Sequence, residues 1–212
     1  MDIQQDASSG EHVSFIGFSN DGSMLQVGTN TGYRMCSTEP FNILSSVNSS
    51  GRIRWVSTLD ASNMMILLGG SYPPNVAVLW DEKKRAVQFR LKFRSEVIRA
   101  FMRVEICAVA LSDVLHLFEL RQGAKELPLI KTYHLNTHCP GVFAMSTAGD
   151  PIVAFPSVRK GEVVVANVTT SETAVVSAHA DHIAALCLSS IGNVLCTASK
   201  EGRYIKIFDV VS

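Results

Sequence analysis

VSFIGFSNDGSMLQVGTNTGYRM (13–35) and IAALCLSSIGNVLCTASKEGRYI (183–205) are two copies of one pattern. They align without gaps, placing Phe18 on Leu188, Ser19 on Ser189, Gly22 on Gly192, Leu25 on Leu195 and Gly32 on Gly202. Each copy reads as an apolar strand, a Ser/Asn/Gly turn, a second apolar strand, a polar turn ending in Gly, and a third strand. Apolar spans this short, with turn residues at every break, do not make helices.

The offset, 183 − 13 = 170 residues, is four periods of about 42, the length of a β-propeller blade of four antiparallel strands. Copies fall in the intervening slots. A third-strand signature, apolar residues ending in an aromatic and an acid, recurs as VAVLWD (76–81), VLHLFE (114–119) and IKIFD (205–209). GEVVVAN (161–167) fills the remaining slot with Asn167 in the acid's place, and MMILLGG (64–70), ICAVAL (106–111) and PIVAF (151–155) read as second strands. No helical period is sustained. The fold class is all-β: a β-propeller with four blades and the first three strands of a fifth over residues 13–212, after a polar segment at 1–12. An open blade exposes an apolar face and an unpaired edge, so the chain is expected to be part of a longer propeller.

Composition bounds the function. The chain has 212 residues, 47% of them hydrophobic, enough for a substantial core, and its formal net charge is zero. Bulk attraction to nucleic acid or membrane is not expected, and local patches must supply any. Five cysteines without a C-x-x-C pair argue against a disulfide framework. The N-terminus lacks the apolar core of a signal peptide, and no apolar run approaches the roughly 20 residues that span a bilayer. A cytoplasmic protein is expected.

Several chemistries are set aside. His179, His182 and Cys187 lie close in sequence, but zinc wants a fourth ligand, and Cys187 sits inside an apolar strand. Ser177, His179 and Asp181 have neither a G-x-S-x-G elbow nor an oxyanion loop. No P-loop or G-x-G-x-x-G is present. The expectation is a protein that is not an enzyme and carries no metal or cofactor.

Two charged regions remain. Residues 83–103, KKRAVQFRLKFRSEVIRAFMR, hold eight basic residues and one acid. Arg90, Lys92 and Arg94 alternate with Phe89, Leu91 and Phe93, so one strand face turns to the core and the other is cationic. That face is read either as protection of an outer strand edge or as a surface for an acidic partner or anionic membrane. Nucleic acid fits it less well, since no aromatic residues are interleaved on the exposed side. The second region is TASKEGRYIKIFD (197–209), where hydroxyls, Gly202 and the cations Arg203 and Lys206 share one turn and strand. It is read as a solvated hairpin or as a holder for an anionic headgroup.

SAHADHIAALCLSSIGNVLCTASKEGRYIKIFD (177–209) resembles the PROPPINs, seven-bladed propellers that bind phosphoinositides. VAVLWDEKKRAVQFRLKFRSEVIRAFMRVEICAVALSDVLHLFEL (76–120) is similar to the second and third blades of that family. IVAFPSVRKGEVVV (152–165) is similar to its L-A-[FY]-P-x-x-x-x-G-x-[VI] segment. The resemblance implies two lipid pockets flanking an Arg-Arg-Gly motif, for phosphatidylinositol 3-phosphate and the 3,5-bisphosphate. It puts the first pocket's His on His179, its Ser/Thr pair on Thr197 and Ser199, and its Gly on Gly202. The family's Thr is Arg203 here and its Arg is Lys206, a point charge in place of a planar fork. Arg-Arg-Gly is not met before Ser212, so these residues are expected to hold half of one pocket. The resemblance further implies autophagy proteins as partners and peripheral association with autophagic, endosomal or vacuolar membranes. The alternative is a WD-repeat-like scaffold that binds only proteins.

Overall fold

In the computed structural model, which describes residues 10–59, 62–121 and 123–210, every element is a β-strand. The chain divides into two compact units, Met1–Lys92 and Phe93–Ser212. Most of the polar segment 1–12 lies outside the described residues.

The first unit holds two four-stranded antiparallel sheets in sequential order. One is β1 (Val13–Phe18), β2 (Met24–Thr29), β3 (Gly32–Thr38) and β4 (Phe41–Asn48). The other is β5 (Ile53–Thr58), β6 (Met64–Gly69), β7 (Val76–Asp81) and β8 (Ala86–Lys92). The second unit continues with β9 (Arg99–Arg103), β10 (Ile106–Ala110), β11 (Val114–Glu119) and β12 (Leu129–His134). Then come β13 (Ala144–Met145), β14 (Ile152–Pro156), β15 (Glu162–Asn167) and β16 (Thr173–Ser177). A three-stranded sheet follows: β17 (Ile183–Leu188), β18 (Val194–Ser199) and β19 (Ile205–Asp209). These are propeller blades, and the third strands expected at 76–81, 114–119, 161–167 and 205–209 are β7, β11, β15 and β19.

The aligned copies coincide in detail. Ser19 and Ser189 each accept the closing turn bond from the N–H of Gly22 or Gly192, and each hydroxyl accepts the next strand's first N–H, from Met24 or Val194 at 3.0 Å. Gly22 and Gly192 take φ of 72° and 79°, a region costly for other residues. Hydrogen bonds from Ser19 and Ser23 hold the Asp21 carboxyl down at about 2. The polar residue that ends the third strand also has a task. Asp81 accepts from the Lys84 N–H at 2.9 Å, and Asn167 accepts from the N–H groups of Thr169 and Thr170, so either side chain closes the turn.

Each sheet covers its neighbour within a unit. In the first, Tyr33 and Met35 pack with Ile53, Val56, Met65 and Leu67. In the second, β13–β16 is covered on both faces: Val153 and Phe155 meet Leu115 and Leu117, while Ala154, Val163 and Val165 meet Ile183 and Leu195. Apolar residues remain exposed at Ile16, Phe18 and Ile43 in the first sheet and at Ile205 and Ile207 in the last.

The basic stretch 83–103 does not form one cationic face. Arg90 and Lys92 are exposed on β8, an outermost strand, with the Arg90 guanidinium 5.5 Å from the centre of the Tyr72 ring. β8 ends at Lys92, so Arg94 lies beyond it, paired with Asp113. Arg99 and Arg103 turn inward. Arg103 is 8% exposed and donates to the carbonyls of Ser146, Gly149 and Asp150, while Arg99 donates to that of Phe143. Alternation within β8 follows the sequence reading, but the bend after it redirects the later arginines to backbone oxygens.

The two sheets of the first unit are also joined by one carboxylate. Glu82 accepts hydrogen bonds from Ser45 at 2.5 Å, from Trp80 Nε1 at 2.9 Å and from the Tyr33 hydroxyl. Burial raises its pKa, but the bonds from Ser45, Tyr33 and Trp80 outweigh that, leaving it below the ordinary 4.5. The bonded carboxylate therefore stabilises the fold above that pH, and the contribution is lost as pH falls through the lower folded value. Glu82→Ala is expected to cost about 2–3 kcal/mol, because it strands buried donors. Glu82→Gln is expected to retain more stability than Glu82→Ala and to unfold less steeply below pH 4.5 than the parent. Urea titrations from pH 7 to 3 measure both.

Candidate functional site

The linker between β16 and β17 and the hairpin β18–β19 bring together the residues singled out at 177–209. Within β18, Thr197 and Ser199 are two apart and share a sheet face. Both are buried, at 1% and 8% exposure, so the hydroxyls are part of the wall and not of the solvated turn. Thr197 pairs directly with Lys206 across the ladder. His179, on the linker, shares a 2.9 Å hydrogen bond between its Nε2 and the Thr197 hydroxyl. Lys206 Nζ donates to the Ala178 carbonyl at 2.7 Å. An imidazole, a hydroxyl and an ammonium are thus held side by side.

Gly161 sets the position of the linker. Its carbonyl accepts from the N–H groups of Ala178 and His179 at 2.9 and 3.0 Å. Its φ is 76°, and a Cβ there would lie 1.7 Å from the His179 carbonyl oxygen. Only glycine permits so close an approach of the β14–β15 turn to the linker. Sequence reasoning did not give Gly161 this role, although it occupies the glycine of the L-A-[FY]-P-x-x-x-x-G-x-[VI] segment.

Gly202 and Arg203 are placed differently. The Gly202 N–H closes the turn on the Ser199 carbonyl at 3.0 Å, with φ of 67°. Arg203 is exposed, and its Nε lies 3.5 Å from Glu201. The contacts that tie His179, Thr197 and Lys206 together run through the linker and the β18–β19 ladder, while this ion pair lies within the turn. Among the described residues no group of three or more His, Cys, Asp or Glu is placed to hold a metal. Arg90 and Lys92 lie in the first unit, away from this cluster in sequence.

A sequence profile of the PROPPIN family matches residues 12–212. The chain belongs to the PROPPIN family. Among curated relatives, SVP1-like protein 2 of Emericella nidulans is 31% identical over 154 residues, covering 71% of this chain and 47% of the relative. Autophagy-related protein 18 of Dictyostelium discoideum is 26% identical, covering 93% of this chain and 53% of the relative. The chain therefore spans about half the length of the PROPPINs it matches. Among solved structures, Kluyveromyces lactis Hsv2 superposes with a TM-score of 0.80 at 18% identity, covering 94% of this chain and 61% of that one. A chain from the complex of KlAtg21 with the coiled coil of AgAtg16 gives 0.83 at 19% identity, covering 94% and 66%. At such identities the superpositions establish the propeller fold, and the profile match establishes the PROPPIN membership.

Gly161→Ala is expected to push the linker out of place and to cost several times the effect of Thr197→Val, which removes one hydrogen bond worth about 1 kcal/mol. Chemical denaturation gives both values. The His179 ring resonances are expected to move in both variants.

Proposed function

We propose that this chain is part of a phosphoinositide-binding propeller that serves autophagy and endosomal or vacuolar traffic. On this reading it is peripheral to membranes carrying phosphatidylinositol 3-phosphate or the 3,5-bisphosphate, and it brings autophagy proteins to them. Residues 13–212 would supply four blades and most of a fifth in a seven-bladed ring. The headgroup would meet His179, Thr197, Ser199, Gly202, Arg203 and Lys206.

One observation carries the reading. His179, Thr197 and Lys206, named from the family pattern, are joined through a shared hydrogen bond and a direct cross-strand pair. A ring nitrogen, a hydroxyl and an ammonium suit the oxygens of a phosphate group. Lys206 would release the Ala178 carbonyl or hold both, since an ammonium has three donors.

A second reading, a scaffold that binds only proteins, draws support from the internal pairing of Arg203 with Glu201. It also draws on the exposed Arg90 and Lys92 of β8, near Arg94 in sequence. KlAtg21 has been solved with the coiled coil of AgAtg16, so a protein partner is known for one chain of this fold.

Vesicle flotation separates the two readings. Residues 1–212 are expected to bind vesicles containing phosphatidylinositol 3-phosphate weakly, and a longer chain bearing Arg-Arg-Gly to bind more strongly. In the longer chain, His179→Ala and Lys206→Gln are each expected to cut retention about tenfold, the loss of one charge-assisted bond. Equal flotation on vesicles of unphosphorylated phosphatidylinositol would sink the lipid reading. Reversal of Arg90, Lys92 and Arg94 to Glu is expected to reduce capture of acidic partners, with little change in thermal unfolding.

A further inference from the structure

A second set of charged and ionisable groups converges beside the linker, built from four connections of the second unit. His138 follows β12, Lys160 lies in the β14–β15 turn, Asp181 and His182 precede β17, and Lys200 lies in the β18–β19 turn. The rings of His138 and His182 are 4.7 Å apart at 37°. Lys200 holds this pair from its own turn: Nζ donates to the His138 carbonyl and the backbone N–H to the His182 carbonyl, both at 2.8 Å. Lys160 lies 2.9 Å from Asp181. One carboxylate thus stands against two ammoniums and two imidazoles. The Cys139 thiol adjoins Lys200 and Asp181, and burial keeps it protonated.

His182 Nδ1 is buried without a hydrogen-bond partner among the described residues. Such an atom costs free energy unless something accepts from it or donates to it. The His182 neighbourhood also resists a second positive charge: burial, then His138 and Lys160, hold its pKa below the ordinary 6.5, against a smaller opposing effect of Asp181. A bound anion would reverse both penalties at once, accepting from the ring and offsetting the charge.

We propose that the His138–His182 pair, flanked by Lys160 and Lys200, is a binding site for a phosphate group that tightens as pH falls. Its donors are separate from those of the His179 cluster, and the inference does not rest on the phosphoinositide reading. The sign follows from proton linkage: a bound anion favours the protonated His182 ring that burial and the neighbouring cations otherwise disfavour, so affinity rises as pH drops. The gain ends at about pH 6, where half of a phosphate monoester has lost its second charge. The phosphate can come from a lipid headgroup or from a soluble ion, since the chemistry recognised is the same.

The test is a titration of the chain with sulfate, a tetrahedral stand-in for the phosphate group that keeps both charges at pH 7.5 and at 6.5, at constant ionic strength, read from the ring resonances of the histidines. His138 and His182 are expected to shift, with affinity several-fold higher at the lower pH. His182→Gln is expected to weaken binding about tenfold, one charge-assisted bond, and to remove the pH dependence. Lys200→Gln, an exposed position that leaves the core intact, is expected to weaken binding at both pH values. His179→Ala is expected to change neither result. Flotation at pH 6.5 on vesicles with and without phosphatidylinositol 3-phosphate identifies the source: loss in His182→Gln assigns a headgroup, and no change assigns a soluble phosphate. Failure of the His138 and His182 resonances to respond would overturn the proposal. So would equal affinity at both pH values, or a response abolished by His179→Ala and kept in His182→Gln.

Discussion

The face-to-face packing of one sheet on the next is the contact on which everything else in each unit depends. A four-stranded antiparallel sheet has two faces and two edges, and alone it leaves its apolar faces in water. β13–β16 answers this by being covered on both faces, with alternate residues of β14 and β15 pointing to different neighbours. That explains why third strands such as VAVLWD read as nearly continuous apolar runs, while the outer strands alternate or are polar. It also explains where function can reside. The faces are spent on packing, so chemistry is left to the connections, and both His179 and the His138–His182 pair lie in linkers between sheets.

Those connections are held by a small number of exacting contacts. Gly161 allows the β14–β15 turn to touch the linker that carries His179, and Thr197 fixes the ring from the neighbouring strand. The cluster is therefore preorganised: its hydroxyl and imidazole are in place without a ligand, and ligand binding need not pay to order them. Arg103 plays a similar part elsewhere, tying the β13–β14 connection to β9 through three carbonyls.

Much of this architecture could be read before the fold was seen. The repeat at 13–35 and 183–205 located six strands, because hairpin turns use serine and glycine for backbone reasons that act locally. His179, Thr197 and Lys206 were legible too, but through the family pattern; periodicity alone would have left them as the polar side of a hairpin. What stayed hidden depends on distant backbone atoms. Nothing in the letters around Arg99 and Arg103 shows that their guanidiniums meet the carbonyls of residues more than forty positions on. Arg203 is named by its position in the motif, and its ion pair with the neighbouring Glu201 is a further contact that the motif does not record. Local charge pairing of this kind is invisible to a pattern that records only residue type and order.

One irregularity links these points. The ladders of β1, β5 and β17 each skip a residue near their start, between Val13 and Phe15, Ile53 and Trp55, and Ile183 and Ala185. The skip changes the parity of the strand, so Ile53 and Val56, three apart, join the same core, as do Ile183 and Leu186. Insertion or deletion of one residue in a strand normally turns its later side chains inside out. At Ser14, Arg54 or Ala184 the chain already carries that extra residue. These positions are where a blade can gain or lose length by single codons at the least cost to its core, and so where homologous blades can drift out of alignment while keeping the same shape.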